Sequence, residues 1–346
     1  MKKVLAVFLS LLLLMSAASA EGFAYSNTSV TDSANTQNMF NTFYASGSFV
    51  LPTPGLKEGL IPQGITYLPQ EDWVLVAGYR DDGGQSAIIA LDNKTGELVK
   101  EVHLNNVNGS EYNGHAGGVC ATEKNIFISN SNRLYRLSLD TFRALPASSE
   151  CAFEEEIPVP SRASYCAYTD GILWVGEFQY GADYQTDRSH KIMSLDGMYR
   201  AWICGYVLTD ETENEIRLDA QGGKDGATPD YILATTERIQ GMTIRNQQIY
   251  LSQSYGRKNP SSIFRYRNVM ADDPHKTAKL NGVEVPIWCL DSRSVNGMLD
   301  APAMTECLCT VGDQVYVLFE SGANKYMNPS NPSVNPVDEI FALKDY

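Results

Sequence analysis

Apolar and polar positions alternate along this chain in short runs, and Gly, Asn and Asp bound the runs. That pattern predicts β-strands with one face toward a core. The strands come in copies: an inner strand, a turn, a second apolar strand, a loop, and a third strand of the form x-I-x-x-L. The copies are IPQGITYL, WVLVAGY and SAIIALD (61–92); GHAGGVCA, IFISNS and NRLYRLSLD (114–140); ASYCAYT, ILWVGEF and HKIMSLD (163–196); RIQGMTI, IYLSQS and SSIFRYR (238–267); and AMTECLCT, VYVLFES and DEIFALKD (303–345). A fourth strand follows each of the first four copies: ELVKEVHL, CAFEEEIPV, YRAWICGYVL and VEVPIWCLDS.

Repeated four-stranded units predict an all-β fold, a β-propeller of antiparallel blades. Matching positions near Gln63, Gly117, Ser164, Gln240 and Glu306 are separated by 54, 47, 76 and 66 residues, which counts five blades. A six-bladed ring is the alternative, because the longest gap contains residues 209–237, read here as a polar insertion in which only IRL and YIL resemble strands. The fifth copy runs out of chain before a fourth strand. An orphan strand, SGSFVLP (46–52), precedes the first copy. If it pairs with residues 340–343, the N-terminal strand closes the ring and removes an open sheet edge.

The run Ala90-Leu91-Asp92-Asn93-Lys94-Thr95-Gly96-Glu97-Leu98-Val99 resembles the x-L-D-x-x-T-G-x-x-V hairpin of YVTN-type and quinoprotein-type repeats. Asp and Thr-Gly make the tight turn between third and fourth strands. The chain is thus similar to the YVTN/quinoprotein-like propeller superfamily, strongly over one blade and by strand pattern over the others. The resemblance implies a fold and no activity. The tryptophan-rich motif of quinone-binding blades is absent, as are recurring WD dipeptides and kelch Gly-Gly pairs.

The N-terminus bears on the compartment. Met1-Lys2-Lys3, the apolar run Val4 to Met15 and Ala18-Ser19-Ala20 read as a secretion signal with its cleavage site. The expected organisation is a signal peptide at 1–20, an N-terminal linker at 21–45 and a single propeller domain at 46–346. The expected product is a secreted, extracellular monomer without a membrane anchor after cleavage. Lys+Arg 27 against Asp+Glu 41 gives a net charge of −14, which argues against nucleic acid or anionic lipid as partner. The seven cysteines number oddly, mostly lie in apolar runs and lack metal-ligand spacing, so most of them read as unpaired buried thiols, with a structural disulfide not required.

In a propeller the inner strands begin, and the second strands end, at one mouth of the channel. Inner-strand starts place Gln63, Ser164, Gln240 and Glu306 there, with His115 beside Gly117. Second-strand ends place Tyr79, Arg80, Asn130, Glu177 and Glu320, and loops add Tyr180 and Tyr255. Such a ring of amides, hydroxyls and aromatic rings suits a small polar ligand, carbohydrate or peptide. His115, Glu177, Glu306 and Glu320 are the candidates for acid–base chemistry, which makes an extracellular hydrolase or lyase acting on a glycan or ester the alternative function. Glu306 and Glu320 belong to adjacent strands of one blade, where two close carboxyls raise one pKa or chelate a cation such as calcium. No G-x-S-x-G, H-E-x-x-H or P-loop pattern occurs.

Overall fold

The computed structural model describes residues 22–30, 39–224 and 226–344; the segment read as a secretion signal lies outside the described residues. Among them, no helix is long and apolar enough to cross a membrane.

The chain forms a five-bladed β-propeller. Blade one stacks Leu60–Leu68, Trp73–Arg80, Ala87–Asp92 and Leu98–Asn105 in order, with Ser148–Ala152 added in parallel as a fifth strand. Blade two is Gly118–Ala121, Asn125–Asn130, Arg133–Ser138 and Glu155–Pro158. Blade four is Ile239–Arg245, Gln248–Gln253, Ser261–Arg267 and Val295–Ala301. Blade five combines Thr305–Val311, Gln314–Phe319 and Glu339–Leu343 with the N-terminal strand Gly47–Pro52. Gly47 pairs with Leu343 and Phe49 with Phe341, so first and last residues of the ring share one sheet. Phe43, in the short helix Asn41–Ala45, stacks on Phe341 at 4.3 Å and seals that joint.

Blade three departs from the expected strand order. Its third strand is Ala201–Val207, which the sequence pattern assigned as fourth. AWICGYV is buried along nearly its whole length, so it needs a partner on each side. The expected third strand, HKIMSLD, instead makes part of a separate hairpin, Ile192–Ser194 with Gly197–Tyr199. The fourth strand is Tyr231–Thr235, from inside the segment read as insertion. Beyond it Val283–Cys289 pairs in parallel, followed by Lys276–Leu280. Val283–Cys289 therefore does not close blade four, as expected. Val295–Ala301 does, with the half-solvated burial pattern of an outer strand.

The core lies between blades and follows from the period of two. On the second strand of blade one, Leu75 and Ala77 face blade two, where Val119, Ile126 and Ile128 meet them. Val74 and Val76 point the other way and pack with Leu318 and Ala342 of blade five. Phe127 and Leu134 of blade two similarly meet Leu173, Val175 and Trp202 of blade three. All seven cysteines are free, and all but Cys151 are buried in these layers. The Asp92 turn forms as its sequence implies: the carboxylate accepts from the amides of Lys94 and Thr95 at 3.0 and 2.8 Å, and Gly96 has φ 72°.

Candidate functional site

The inner strands bend at one matching point. In four blades an extra residue bulges out of the pairing between first and second strands. It is Gln63 between Pro62 and Gly64, Ser164 between Ala163 and Tyr165, and Gln240 between Ile239 and Gly241; Glu306 and Cys307 together lie between Thr305 and Leu308. A bulge bends the strand and re-aims a side chain. Immediately after it the inner strands touch through backbone. A Cβ on Gly64 would lie 2.3 Å from the Val119 nitrogen, and one on Gly241 would lie 2.4 Å from the Cys307 Cα. Glycine is what allows that approach.

The bulged residues converge with the matching ends of the second strands, Tyr79, Ser131, Phe178, Ser254 and Glu320. Together they line a cavity of about 500 Å³ at the channel mouth. His115, Asn130, Tyr255, Arg162, Arg257, Lys325 and Tyr326 complete its wall. Of the expected site residues, Gln63, Tyr79, His115, Asn130, Ser164, Gln240, Tyr255, Glu306 and Glu320 are therefore brought together.

Three are not. Glu177 pairs with Ala163, one position short of the register of Glu320, and a shift of one residue sends a strand side chain to the opposite face. It is buried, accepts from the amides of Arg162 and Trp202 at 2.8 and 2.9 Å, and meets His190 Nδ1 at 2.9 Å. Phe178 occupies the position expected for Glu177. Arg80 turns outward, ion-paired with Asp82 at 2.6 Å and lying over the Tyr25 ring. Tyr180 stands behind the wall, its ring 3.9 Å from that of Tyr255. The sequence reading missed Arg162 and Met304, which lie on the wall two residues before the bulge. His115 has the same offset from Gly117, so repeat register was the signal that could have found them.

At the floor, the Glu306 and Glu320 carboxyls adjoin, and the repulsion between two carboxylates in a desolvated setting favours one of them keeping a proton. Burial pushes Glu306 well above the usual carboxylate range, and the charge of Glu320 adds to this. Burial also raises Glu320, to about 7, against the opposing pull of bonds from Tyr326, Glu306 and Gln63 and the charge of Lys325. Gln63 Nε2 donates to Glu320 at 3.0 Å and Gln240 Nε2 to Glu306 at 3.3 Å. Tyr326 lies beside Glu320 and Tyr79, and Lys325 Nζ donates to the Tyr79 hydroxyl at 3.2 Å. His115 is open to solvent but walled in by the concave mouth, its ring 4.6 Å from that of Tyr79. Desolvation, then the Lys325 charge, lowers it to about 4, so the imidazole is neutral at pH 7.

The donor set suits a proton better than calcium. Both amides turn their NH₂ groups toward the carboxyls, and among the described residues no three His, Cys, Asp or Glu side chains converge as a metal site. At the other end of the channel a cavity of about 210 Å³ is lined by hydroxyls including Thr66, Thr122, Thr243 and Thr310. Thr243 and Thr310 satisfy each other there at 2.8 Å.

Fold and mouth together define a five-bladed propeller with a polar, partly desolvated pocket on its axis. No family model and no curated protein matches the sequence. Among solved structures the chain is similar to the GH43_1 enzyme from Xanthomonas citri complexed with xylose, at 12% identity and a TM-score of 0.47, covering 86% of this chain and 90% of that one. It is also similar to Myxococcus xanthus glutaminyl cyclase, at 10% identity and a TM-score of 0.43, covering 84% and 92%. A third likeness is to BamB from Moraxella catarrhalis, at 9% identity and a TM-score of 0.32, covering 82% and 84%. Likenesses this distant say nothing about ligand or reaction.

Proposed function

We propose that the mouth pocket binds a small polar ligand, a saccharide or a peptide, presented to a secreted protein of the YVTN/quinoprotein-like superfamily. The observation that carries this is the shared register: bulged inner strands and second-strand ends from different blades aim into one cavity of about 500 Å³. A purely structural channel has no need to break its strand pairing at matching points. Phe178, Tyr184 and Tyr255 offer flat apolar faces, while Gln63, Gln240 and Asn130 offer amides, the mixture that small-ligand sites use. Calorimetric titration with a panel of oligosaccharides and short peptides tests the reading. Binding that disappears in Tyr255→Ala while the melting temperature is kept supports it. A panel without a binder at millimolar concentration overturns it.

One observation favours a second reading, acid–base turnover of the bound ligand as a hydrolase or lyase. Glu306 and Glu320 hold one proton between them, with Glu320 poised to exchange it near neutral pH. Glu306→Gln and Glu320→Gln should then retain ligand while losing product formation. Equal product from either variant and the wild type removes this reading and leaves the first.

A further inference from the structure

Many cations of this protein sit beside carboxylates: Arg200 pairs with Glu237, Arg217 with Asp230 and Arg293 with Asp291. At the mouth three cations without such a partner gather on one concave wall. Arg162, Arg257 and Lys325 line it, and among the described residues none of the three makes an ion pair within 4.0 Å. Each instead lies against an aromatic face. Arg162 sits 5.6 Å from the Tyr184 ring centre, Arg257 4.8 Å from that of Tyr326, and Lys325 5.2 Å from that of Tyr79.

A guanidinium has five N–H donors. Arg162 commits one to the Gln185 carbonyl at 3.2 Å, and Arg257 one to the Asn331 carbonyl at 2.6 Å. The aromatic contacts hold the cations in place without neutralising them. In a chain of net charge −14, three cations on one cavity wall, none in a direct ion pair, create a local positive field within an overall negative one.

On the pocket reading above, we propose that the ligand carries a carboxylate and that Arg162, Arg257 and Lys325 receive it. An arginine fork matches a carboxylate through paired hydrogen bonds, and two such forks with an ammonium group fix both its position and its orientation. The floor permits this, because Glu306 and Glu320 retain a proton between them and do not present two negative charges to the incoming anion. A single carboxylate fits the balance better than a dianionic phosphate, since Glu320 stands on the same lining. Two sources supply such a group beside an otherwise neutral polar body: a uronic acid residue of a saccharide, and the C-terminus of a peptide.

The test is thermal denaturation and calorimetry of the full mature protein at constant ionic strength. The probes are trigalacturonate and its methyl ester, tetra-alanine and its C-terminal amide, and inorganic phosphate. Stabilisation by one free acid, with affinity at least about tenfold above its neutral counterpart, supports the proposal, and the acid that binds identifies the source. Arg162→Gln with Arg257→Gln should remove that preference, and Lys325→Gln alone should weaken it; each variant's own melting temperature reports whether it folds. Equal affinity for acid and neutral forms, lost in Tyr255→Ala, overturns the carboxylate assignment and leaves the pocket reading intact. Tighter binding of inorganic phosphate than of either acid also overturns it. Absence of binding by both acids overturns it as well, and a neutral saccharide that still binds shows that the pocket itself is sound.

Discussion

Gln63 donates a hydrogen bond to Glu320 at 3.0 Å, joining the first blade to the last across 257 positions of chain. The bond sits where the ring closes, and it ties the carboxyl pair to the strand that begins the propeller. Closure and the candidate site are therefore mechanically coupled. Loosening the joint between blades one and five should disturb the shared proton before it disturbs distant blades.

Removing residues 21–52 takes away the closing strand and Phe43. It exposes the edge of Glu339–Leu343 and uncovers the face of Phe341. The melting temperature should fall on the order of 10 °C, since several kcal/mol of burial and pairing are lost together. Scanning calorimetry of chains beginning at residue 53 and at residue 21 checks this. Identical transitions would mean that the ring does not depend on its N-terminal strand.

Stability should depend on pH through the floor and the rim in opposite senses. Glu320 has a folded pKa of about 7, above its ordinary value, so its contribution is complete at acid pH and is lost as pH rises through 7. His115 has a folded pKa of about 4, below its ordinary value, so its contribution is complete above pH 6.5 and is lost as pH falls toward 4. Glu306, raised well above its ordinary value, acts in the same sense as Glu320. Melting temperature should thus rise as pH is lowered from 8 to 6.5, and less steeply from there toward pH 5, where the loss of the His115 contribution offsets part of the gain. In His115→Asn the steep rise should continue toward pH 5, and in the double variant Glu306→Gln/Glu320→Gln the rise should vanish. A wild-type curve that climbs from pH 6.5 to 8 would contradict the assignment of a shared proton.

Glu177 anchors blade three and takes no part in the pocket. Glu177→Gln keeps the shape but gives up the charge-assisted bonds to two amides and to His190, a loss of about 3 kcal/mol in a buried setting. Denaturant unfolding should show that loss while affinity for any pocket ligand is unchanged. A tenfold loss of affinity at unchanged stability would return Glu177 to the site.

Gly64→Ala places a methyl group 2.3 Å from the Val119 nitrogen, against backbone that has nowhere to move. Forcing the inner strands of blades one and two apart should cost about 3 kcal/mol in urea unfolding, in the upper range for overpacking. It should also weaken ligand binding, because the bulge at Gln63 precedes it. A neutral effect on both would mean that the strands can separate at the axis without consequence.

How far the chain alone determined this protein depends on whether local pattern or partner choice was in question. The period-two runs are local, and they placed the inner and second strands of every blade, since each must bury alternate residues whatever its neighbours. Even the closing strand was legible, because one orphan strand and one missing strand admit a single arrangement. Blade three was not. AWICGYV and VEVPIWC both read as outer strands, but which sheet edge accepts a strand depends on crossovers that no local period encodes, and a parallel addition leaves no signature in alternation. The site shows the same division. Gln63, Gln240, Glu306 and Glu320 followed from repeat register, because equivalent positions in a ring face one axis. Glu177 failed by one residue, and in a strand one residue is the difference between facing the channel and facing the core. The bulges that re-aim Gln63, Ser164 and Gln240, and the pKa values that follow from burying two carboxyls together, arise only when the five inner strands are packed backbone to backbone around the axis. Tertiary structure decided those.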